Sequence, residues 1–248
     1  MSATDLEARA ETLRAAFVAD RGYWSPRLDD LLEHDPSYFE QALAFINHPW
    51  RHGVLEPKVK ELMLLTIDAA ATHRNGPGAS EHVERALAHG ATLQEVLEVL
   101  ELTSTVGIHS TNCGVPILLE ELEAAGQGLD ADAPLTDRQA EIKAVFVEKR
   151  GYWNAFWDGL LRLDAEFFAA YTAFSAHPWE HGTLDPKLRE MVYIAFDTAA
   201  THMYGPGLRQ HIRNALGYGA TGAELMEVIE LASGIGVEAF ALALPGLR

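Results

Sequence analysis

HPWRHG at residues 48–53 returns as HPWEHG at residues 177–182, and this is one of several segments that the chain contains twice. The others keep the same spacing: RGYW at 21–24 and 150–153, GPG at 76–78 and 205–207, and GAT at 90–92 and 219–221. The two copies align without a gap, and their spacing is longer than the period of solenoid repeats. The sequence therefore predicts two fused copies of one domain.

The boundary between the copies is predicted from a segment rich in Gly, Asp and Pro, which reads GQGLDADAPL. Such residues interrupt regular structure. Thr136 follows, with Gln139 three residues later, in the pattern of a capping box that opens a helix. We assign residues 1–125 to the first copy, 126–135 to a linker and 136–248 to the second copy.

Both copies have the patterns of α-helices. Pro57 and Pro186 each follow an acidic residue and suit the first position of a helix. The first of these helices is mostly apolar and is expected to end at the Gly-Pro-Gly segment at 76–78, before a second helix that carries His82. The alternating pattern of β-strands is missing between turn signals. The predicted fold is all-α.

Charge and cysteine content exclude several functions. The chain has 248 residues, 48% of them hydrophobic, and a net charge of -17. That charge repels phosphate backbones and anionic lipid. With Cys113 as the single cysteine, neither an intramolecular disulfide nor a CxxC redox pair can form. No signal peptide or long apolar run stands out, so we expect a soluble cytoplasmic protein that binds neither nucleic acid nor membrane.

Polar residues that occur in both copies are the candidates for chemistry. On the helix from Pro57, Glu61 and Asp68 are seven residues apart and share a face. A Gly-Pro-Gly turn then separates His73 from His82, so both imidazoles could face one pocket as general acid and base. The second copy repeats all four as Glu190, Asp197, His202 and His211. The alternative is structural: buried carboxylates that pair with neighbouring helices and histidines that cap or pack.

Further residues complete two alternative sites. Arg74, Trp50 and Trp179, together with Asp68 and Asp197, are predicted to bind substrate. A metal site made of His73, His82 and His109 with Asp68 would also suffice, although its spacing matches no standard zinc signature. In the second copy, His109 is replaced by Glu238.

A longer motif resembles the carboxymuconolactone decarboxylase family, which includes the AhpD-like alkylhydroperoxidases. It begins as LEPKVKEL at 55–62 and continues as HVERALAHGATLQEVLE at 82–98. The second copy shows it again from Leu184 through His211 to Glu227. The resemblance implies an AhpD-like helical fold, a homo-oligomer (a trimer or a dimer of trimers) and pockets at interfaces.

The same resemblance implies two activities, and the chain departs from both. The peroxidase branch has cysteines where this chain has Asn75 and Gly78, or Tyr204 and Gly207 in the second copy. The decarboxylase branch typically has a glutamate at the position of Gly78. Of the functional residues in the family motif, only the histidine has a direct match in this chain, at His82 and His211.

The sequence thus favours a cofactor-independent lyase, decarboxylase or isomerase that acts on a small oxygenated acid or lactone. Its catalytic residues would be His82, His73 and Glu61 with His211, His202 and Glu190. A metal-dependent enzyme and a non-catalytic ligand-binding oligomer are the alternatives, and a thiol peroxidase is disfavoured because CxxC is missing.

Overall fold

The computed structural model describes residues 3–247, and every regular element in that range is helical. The α-helices are α1 (Ala3–Arg21), α2 (Asp29–His34), α3 (Pro36–Ile46), α4 (His48–His52), α5 (Pro57–Ala69), α6 (Gly76–Ala88), α7 (Leu93–Ser104), α8 (His109–Ala124), α9 (Asp137–Arg150), α10 (Phe156–Leu163), α11 (Ala165–His181), α12 (Pro186–Thr198), α13 (Gly205–Gly217), α14 (Gly222–Ser233) and α15 (Glu238–Ala243). Short 3₁₀ segments lie at Pro26–Leu28, Thr105–Ile108, Gly234–Val237 and Leu244–Leu247. The all-α prediction is confirmed.

The helices form two compact units that differ from the two sequence copies. One unit contains residues up to Thr92 and from Lys187 onward, and the other contains Leu93–Pro186. Each unit therefore takes helices from both copies. The copy boundaries at 125 and 136 stay a prediction about the duplication, because compactness follows packing and not the order of the chain.

Each unit has its own aromatic core. In the first, Phe17 on α1 and Phe39 on α3 are each 1% exposed and pack in one cluster with Val237. In the second, Phe146 on α9 and Phe168 on α11 pack in the corresponding cluster. Each core thus combines aromatic rings of one copy with helices of the other, and burial of these rings supplies much of the stabilisation.

The α5–α6 pair positions the candidate site. Most of α5 is buried, charged residues included. The helix ends at Ala69, and Arg74 in the following turn has a left-handed φ of 58°. Gly76 then begins α6, and Asn75 caps it by accepting a hydrogen bond from the backbone N–H of Gly78 (3.2 Å). The Gly-Pro-Gly segment is thus the first turn of α6 and not, as predicted, the break after α5, because proline suits a first helical turn.

A buried glutamate fixes the loop before α5. Glu227 on α14 accepts hydrogen bonds from the backbone N–H groups of Val54 and Leu55, the latter at 2.8 Å, and pairs with Lys60 at 3.0 Å. A Cβ on Gly53 would lie 2.1 Å from the Glu227 carboxylate. The glycine is therefore required by this close approach.

The second unit repeats this arrangement. Glu98 on α7 accepts from the backbone N–H groups of Thr183 and Leu184, the latter at 2.9 Å. A Cβ on Gly182 would lie 2.1 Å from the Glu98 carboxylate. Glu98 and Glu227, which belong to the family-like motif, thus bind the backbone of the loops next to the two glycines. This explains why these glutamates and glycines occur in both copies.

One stretch of the described chain, Gly222–Gly246, has the length and apolar composition of a membrane-crossing helix. It was not expected from the sequence. It is not a single α-helix, because α14 ends at Ser233 and a 3₁₀ segment follows. Glu227 within it is buried in the ion pair with Lys60. The stretch is therefore interrupted and contains a buried charge, and 22% of its most apolar window is buried.

Candidate active site

His82 and Glu61 form a buried hydrogen-bonded pair between α6 and α5. The Nδ1 of His82 is 2.6 Å from the Oε2 of Glu61, and the two residues are 4% and 0% exposed. An ionised carboxylate only accepts hydrogen bonds, so Nδ1 of His82 donates and its Nε2 is left to act on another group. A histidine oriented in this way is suited to proton transfer.

His82 lies in the wall of a cavity in the first unit. The cavity has a volume of about 70 Å³, enough for several water molecules or a part of a small ligand. Most of the wall is apolar, and the polar groups that face it include Tyr23, Arg27, Glu81 and Glu238. Burial raises the pKa of Tyr23, with the charge of Glu61 adding to the effect, so the phenol remains a neutral donor.

The free nitrogen of His82 faces a second carboxylate. Its Nε2 is 3.6 Å from the Oδ2 of Asp68, whose Oδ1 is 3.6 Å from the Nε2 of His73. The same nitrogen of His73 is 2.8 Å from the Oε2 of Glu238. Burial raises the pKa of Asp68 to about 8, and the negative charge of Glu238 adds to this shift. The structure thus brings His73, His82, Glu61 and Asp68 together, while their catalytic roles stay predictions.

The second copy has the same pair in different surroundings. The Nδ1 of His211 is 2.6 Å from the Oε2 of Glu190. Asn214 donates to the other oxygen, Oε1, at 3.1 Å, and the ring of Tyr193 stacks on the imidazole with centroids 4.4 Å apart. The pair is therefore preserved, but a phenol covers one face of the histidine.

The carboxylate next to this second pair is also deeply buried. Asp197 is 0% exposed, and burial together with the charge of Glu190 raises its pKa to about 8. The Nε2 of His202 lies 3.8 Å from its Oδ1, and burial lowers the pKa of His202. This histidine is therefore neutral at pH 7 and does not bring a positive charge to Asp197.

Two comparisons with known proteins identify the family. A model described as the carboxymuconolactone decarboxylase family matches residues 165–245. A solved structure from Burkholderia xenovorans LB400, provisionally assigned as a gamma-carboxymuconolactone decarboxylase subunit, is 47% identical, with a TM-score of 0.92 over 96% of this chain and 95% of that chain. The chain belongs to the carboxymuconolactone decarboxylase family. The resemblance predicted from the sequence is confirmed, and no curated protein sequence matches the chain significantly.

Asn75 and Gly78 lie next to the Asp68 carboxylate. At both positions this carboxymuconolactone decarboxylase-family chain departs from the motif given above. The Nδ2 of Asn75 donates to the Oδ2 of Asp68 at 3.2 Å. A Cβ on Gly78 would lie only 1.9 Å from that oxygen. A longer side chain at Gly78 is therefore incompatible with this position of Asp68. Because Gly78 has no side chain, the Asp68 carboxylate can occupy this space.

The structure places three of the residues predicted to bind substrate, Arg74, Trp50 and Trp179, away from the cavity. Arg74 is exposed in the turn after α5 and does not line it. Trp50 lies on α4, and its ring contacts the cations of Arg21 (4.9 Å) and Lys60 (5.4 Å). Trp179 packs similarly against Arg150 at 4.9 Å. Both indoles lie on helices, Trp50 on α4 and Trp179 in the last turn of α11.

The group of possible metal ligands in the structure differs from the group predicted from the sequence. His109 begins α8 in the second compact unit. In the first unit, the groups that could hold a metal ion are Asp68, His73 and Glu238. Glu238 takes the place of His109 in this group because α15 packs in the first unit. The order of the two copies in the sequence does not reveal this packing.

Arg27 and Glu238 are among the cavity residues that were not predicted as site residues from the sequence. Arg27 lines the cavity, and its Nε donates to the Oε2 of Glu81 at 3.0 Å. In the second copy the corresponding residue is Phe156, so the search for recurrent residues passed over it. The sequence did contain a signal for Glu238, because it stands where the first copy has His109, and both side chains can bind protons or metals.

Proposed function

We propose that the chain is a carboxymuconolactone decarboxylase-like lyase that acts on a small oxygenated acid or lactone. The observation that carries the proposal is the buried Glu61–His82 pair, whose histidine lines a mostly apolar cavity and keeps its Nε2 3.6 Å from Asp68. Family membership supports the decarboxylase class.

The chemistry needs a proton donor beside a developing anion. On loss of carbon dioxide, the electron pair of the broken C–C bond passes into an enolate, and the carbon then takes up a proton. His82 supplies this proton from Nε2, while Glu61 fixes the orientation of the imidazole and stabilises its charged form. His211 and Glu190 form a second pair of the same kind. Protein groups perform each proton transfer, so the reaction in this form requires no organic or redox cofactor.

Arg27 takes the substrate-binding role that the sequence assigned to Arg74. Its side chain is 22% exposed and lines the same cavity as His82. Glu81 holds the guanidinium from one side, so little side-chain entropy is lost when an anion binds. A planar guanidinium binds a carboxylate through paired hydrogen bonds.

A metal-dependent form of the reaction is the second candidate, because Asp68, His73 and Glu238 converge next to His82. The third candidate is a ligand-binding oligomer without activity. As an assembly, we propose a trimer or a dimer of trimers, which the family resemblance supports. Sedimentation should then give a mass well above the 27.2 kDa of one chain.

Turnover of a panel of carboxylated muconolactones and β-keto acids, followed by release of carbon dioxide, tests the proposal. We expect turnover of at least one compound, with losses of about 10²–10⁴-fold in His82→Ala and in Glu61→Gln. His89→Ala, at an exposed histidine after α6, is the matched control and should leave the rate unchanged. Full turnover in both pair variants would contradict the proposal. Ligand binding without turnover of any compound would support the non-catalytic alternative.

A further inference from the structure

Three side chains with metal-binding atoms converge beside His82 in the first unit. The ligating atoms of Asp68, His73 and Glu238 all lie within 4.8 Å of one another. His73 is the centre of the group, with its Nε2 2.8 Å from Glu238 and 3.6 Å from Asp68. The Nε2 of His82 lies beside this group, 3.6 Å from Asp68. The cluster therefore combines imidazole and carboxylate donors from three positions in the chain.

These separations fit the ligands of a first-row metal ion. Nitrogen and oxygen ligands lie about 2.0–2.2 Å from such an ion, so neighbouring ligands in tetrahedral or octahedral geometry are about 3.0–3.5 Å apart. The contacts of His73 with its two carboxylates bracket that range. A cation here would also offset the negative charges of the buried Asp68 and the half-buried Glu238.

An outer set of donors holds the carboxylates in place. The Nδ2 of Asn75 donates to Asp68 at 3.2 Å and to Glu238 at 2.7 Å, so one amide orients both groups. Glu61 likewise accepts from Nδ1 of His82 and leaves Nε2 directed at the cluster. Carboxylates and amides in this position are typical supports of metal ligands.

We infer that Asp68, His73 and Glu238 bind a divalent first-row transition-metal ion beside His82. Mixed imidazole and carboxylate donors suit Mn²⁺, Fe²⁺, Co²⁺ or Zn²⁺. The sequence agrees, because Asp68 and His73 recur as Asp197 and His202, and the position of Glu238 corresponds to His109. Because Glu238 and His82 line the cavity, the ion would be within reach of an oxygen of a bound acid.

Binding of Co²⁺ to untagged, chelator-treated protein tests this inference, with the visible absorption of Co²⁺ and its stoichiometry as readouts. Two exposed histidine pairs must first be removed, since pairs one helical turn apart bind such metals themselves. His48 and His52 have ring centroids 4.9 Å apart, as do His177 and His181. All measurements therefore use a His48→Ala/His177→Ala background, in which the three proposed ligands are intact.

In this background we expect bound Co²⁺, and loss of one equivalent in His73→Gln and in Glu238→Gln. Asn75→Ala, which leaves every ligand in place, should weaken binding by about 10–100-fold. Glu238→His should retain binding, because it substitutes another ligand. Helicity by circular dichroism checks that each variant folds.

Two outcomes would overturn the inference. One is a background protein that binds no Co²⁺ at millimolar concentration. The other is an equal stoichiometry and affinity in the background protein, His73→Gln and Glu238→Gln. Neither measurement uses substrate, so both are independent of the proposed lyase activity.

Discussion

The His82 and His211 sites began as copies, and the comparison between them separates what the duplication preserved from what it changed. Both keep the histidine–glutamate hydrogen bond at 2.6 Å. In the first site the Oε1 of Glu61 has no hydrogen-bond partner within residues 3–247, whereas Asn214 donates to the equivalent oxygen of Glu190. The histidine–glutamate hydrogen bond is therefore the same in both sites, and the residues around it differ.

The residues that changed lie around the imidazole. Tyr193, stacked on His211, stands where the first copy has Leu64, which lines the cavity beside His82. Arg85, the counterpart of Asn214, turns away and places its guanidinium over the Tyr23 ring at 4.2 Å. We therefore expect the first site to carry most of the activity.

The largest expected effect is on catalysis and separates the two histidines. His82→Ala should lower turnover by about 10²–10⁴-fold, because it removes the proton donor in the cavity wall. His211→Ala should change turnover less than threefold, since Tyr193 already covers its ring. Rates on the best compound of the acid and lactone panel, with helicity as the folding control, measure both. Equal losses in the two variants would show that the sites work equally.

The next effect concerns the ion pair that fixes the loop before α5. Glu227→Gln should lower the free energy of unfolding by about 3–5 kcal/mol, because it leaves the charge of Lys60 buried without its partner. Urea denaturation measures the loss. Combining it with Lys60→Met should recover part of the stability, since no charge is then left buried. A Glu227→Gln protein as stable as the wild type would mean that the glutamate acts by its hydrogen bonds alone.

A smaller effect compares the two glycines beside the buried aspartates. Gly78→Ala should lower the free energy of unfolding by about 1–3 kcal/mol, because its Cβ would meet the Asp68 carboxylate at 1.9 Å. Gly207→Ala should cost less, since the nearest approach there is 2.6 Å, to Asp197. Gly76→Ala is the control, with nothing within 4 Å of its Cβ. The ranking is refuted if Gly76→Ala is as unstable as Gly78→Ala.

The last effect, the pH dependence that Asp197 gives to stability, accumulates gradually over several pH units. Its pKa is raised by burial to about 8 in the folded chain, so the folded state holds a proton that the unfolded chain loses near pH 4. The stability contributed by this group is complete below that pH and is lost as the pH rises toward 8. The slope is at most about 1.4 kcal/mol per pH unit.

Asp197→Asn removes this titration. Its melting temperature relative to the wild type should therefore rise between pH 5 and pH 8 and change little above that. Thermal unfolding at several pH values measures the difference. A constant difference between the two proteins would show that Asp197 titrates alike in both states.

Periodicity and repetition were sufficient to predict the helices and several of their ends. Thr136 forms the predicted capping box, and Pro57 and Pro186 begin α5 and α12 as predicted. These features depend on neighbours within a few residues, so a local pattern reveals them. The juxtaposition of His82 with Glu61 was also within reach, because both lie on consecutive helices joined by a short turn.

The sequence by itself determined the all-α fold, the duplication, the family and the recurrent histidines and carboxylates. Only the tertiary structure decided that Arg27 lines the cavity, that Arg74 does not, and that Glu238 meets His73 across 165 positions of the chain. The reason is physical. A helix is fixed by hydrogen bonds between residues four apart, whereas a site is fixed by which helices bury their apolar faces together, and here each compact unit combines helices from both copies.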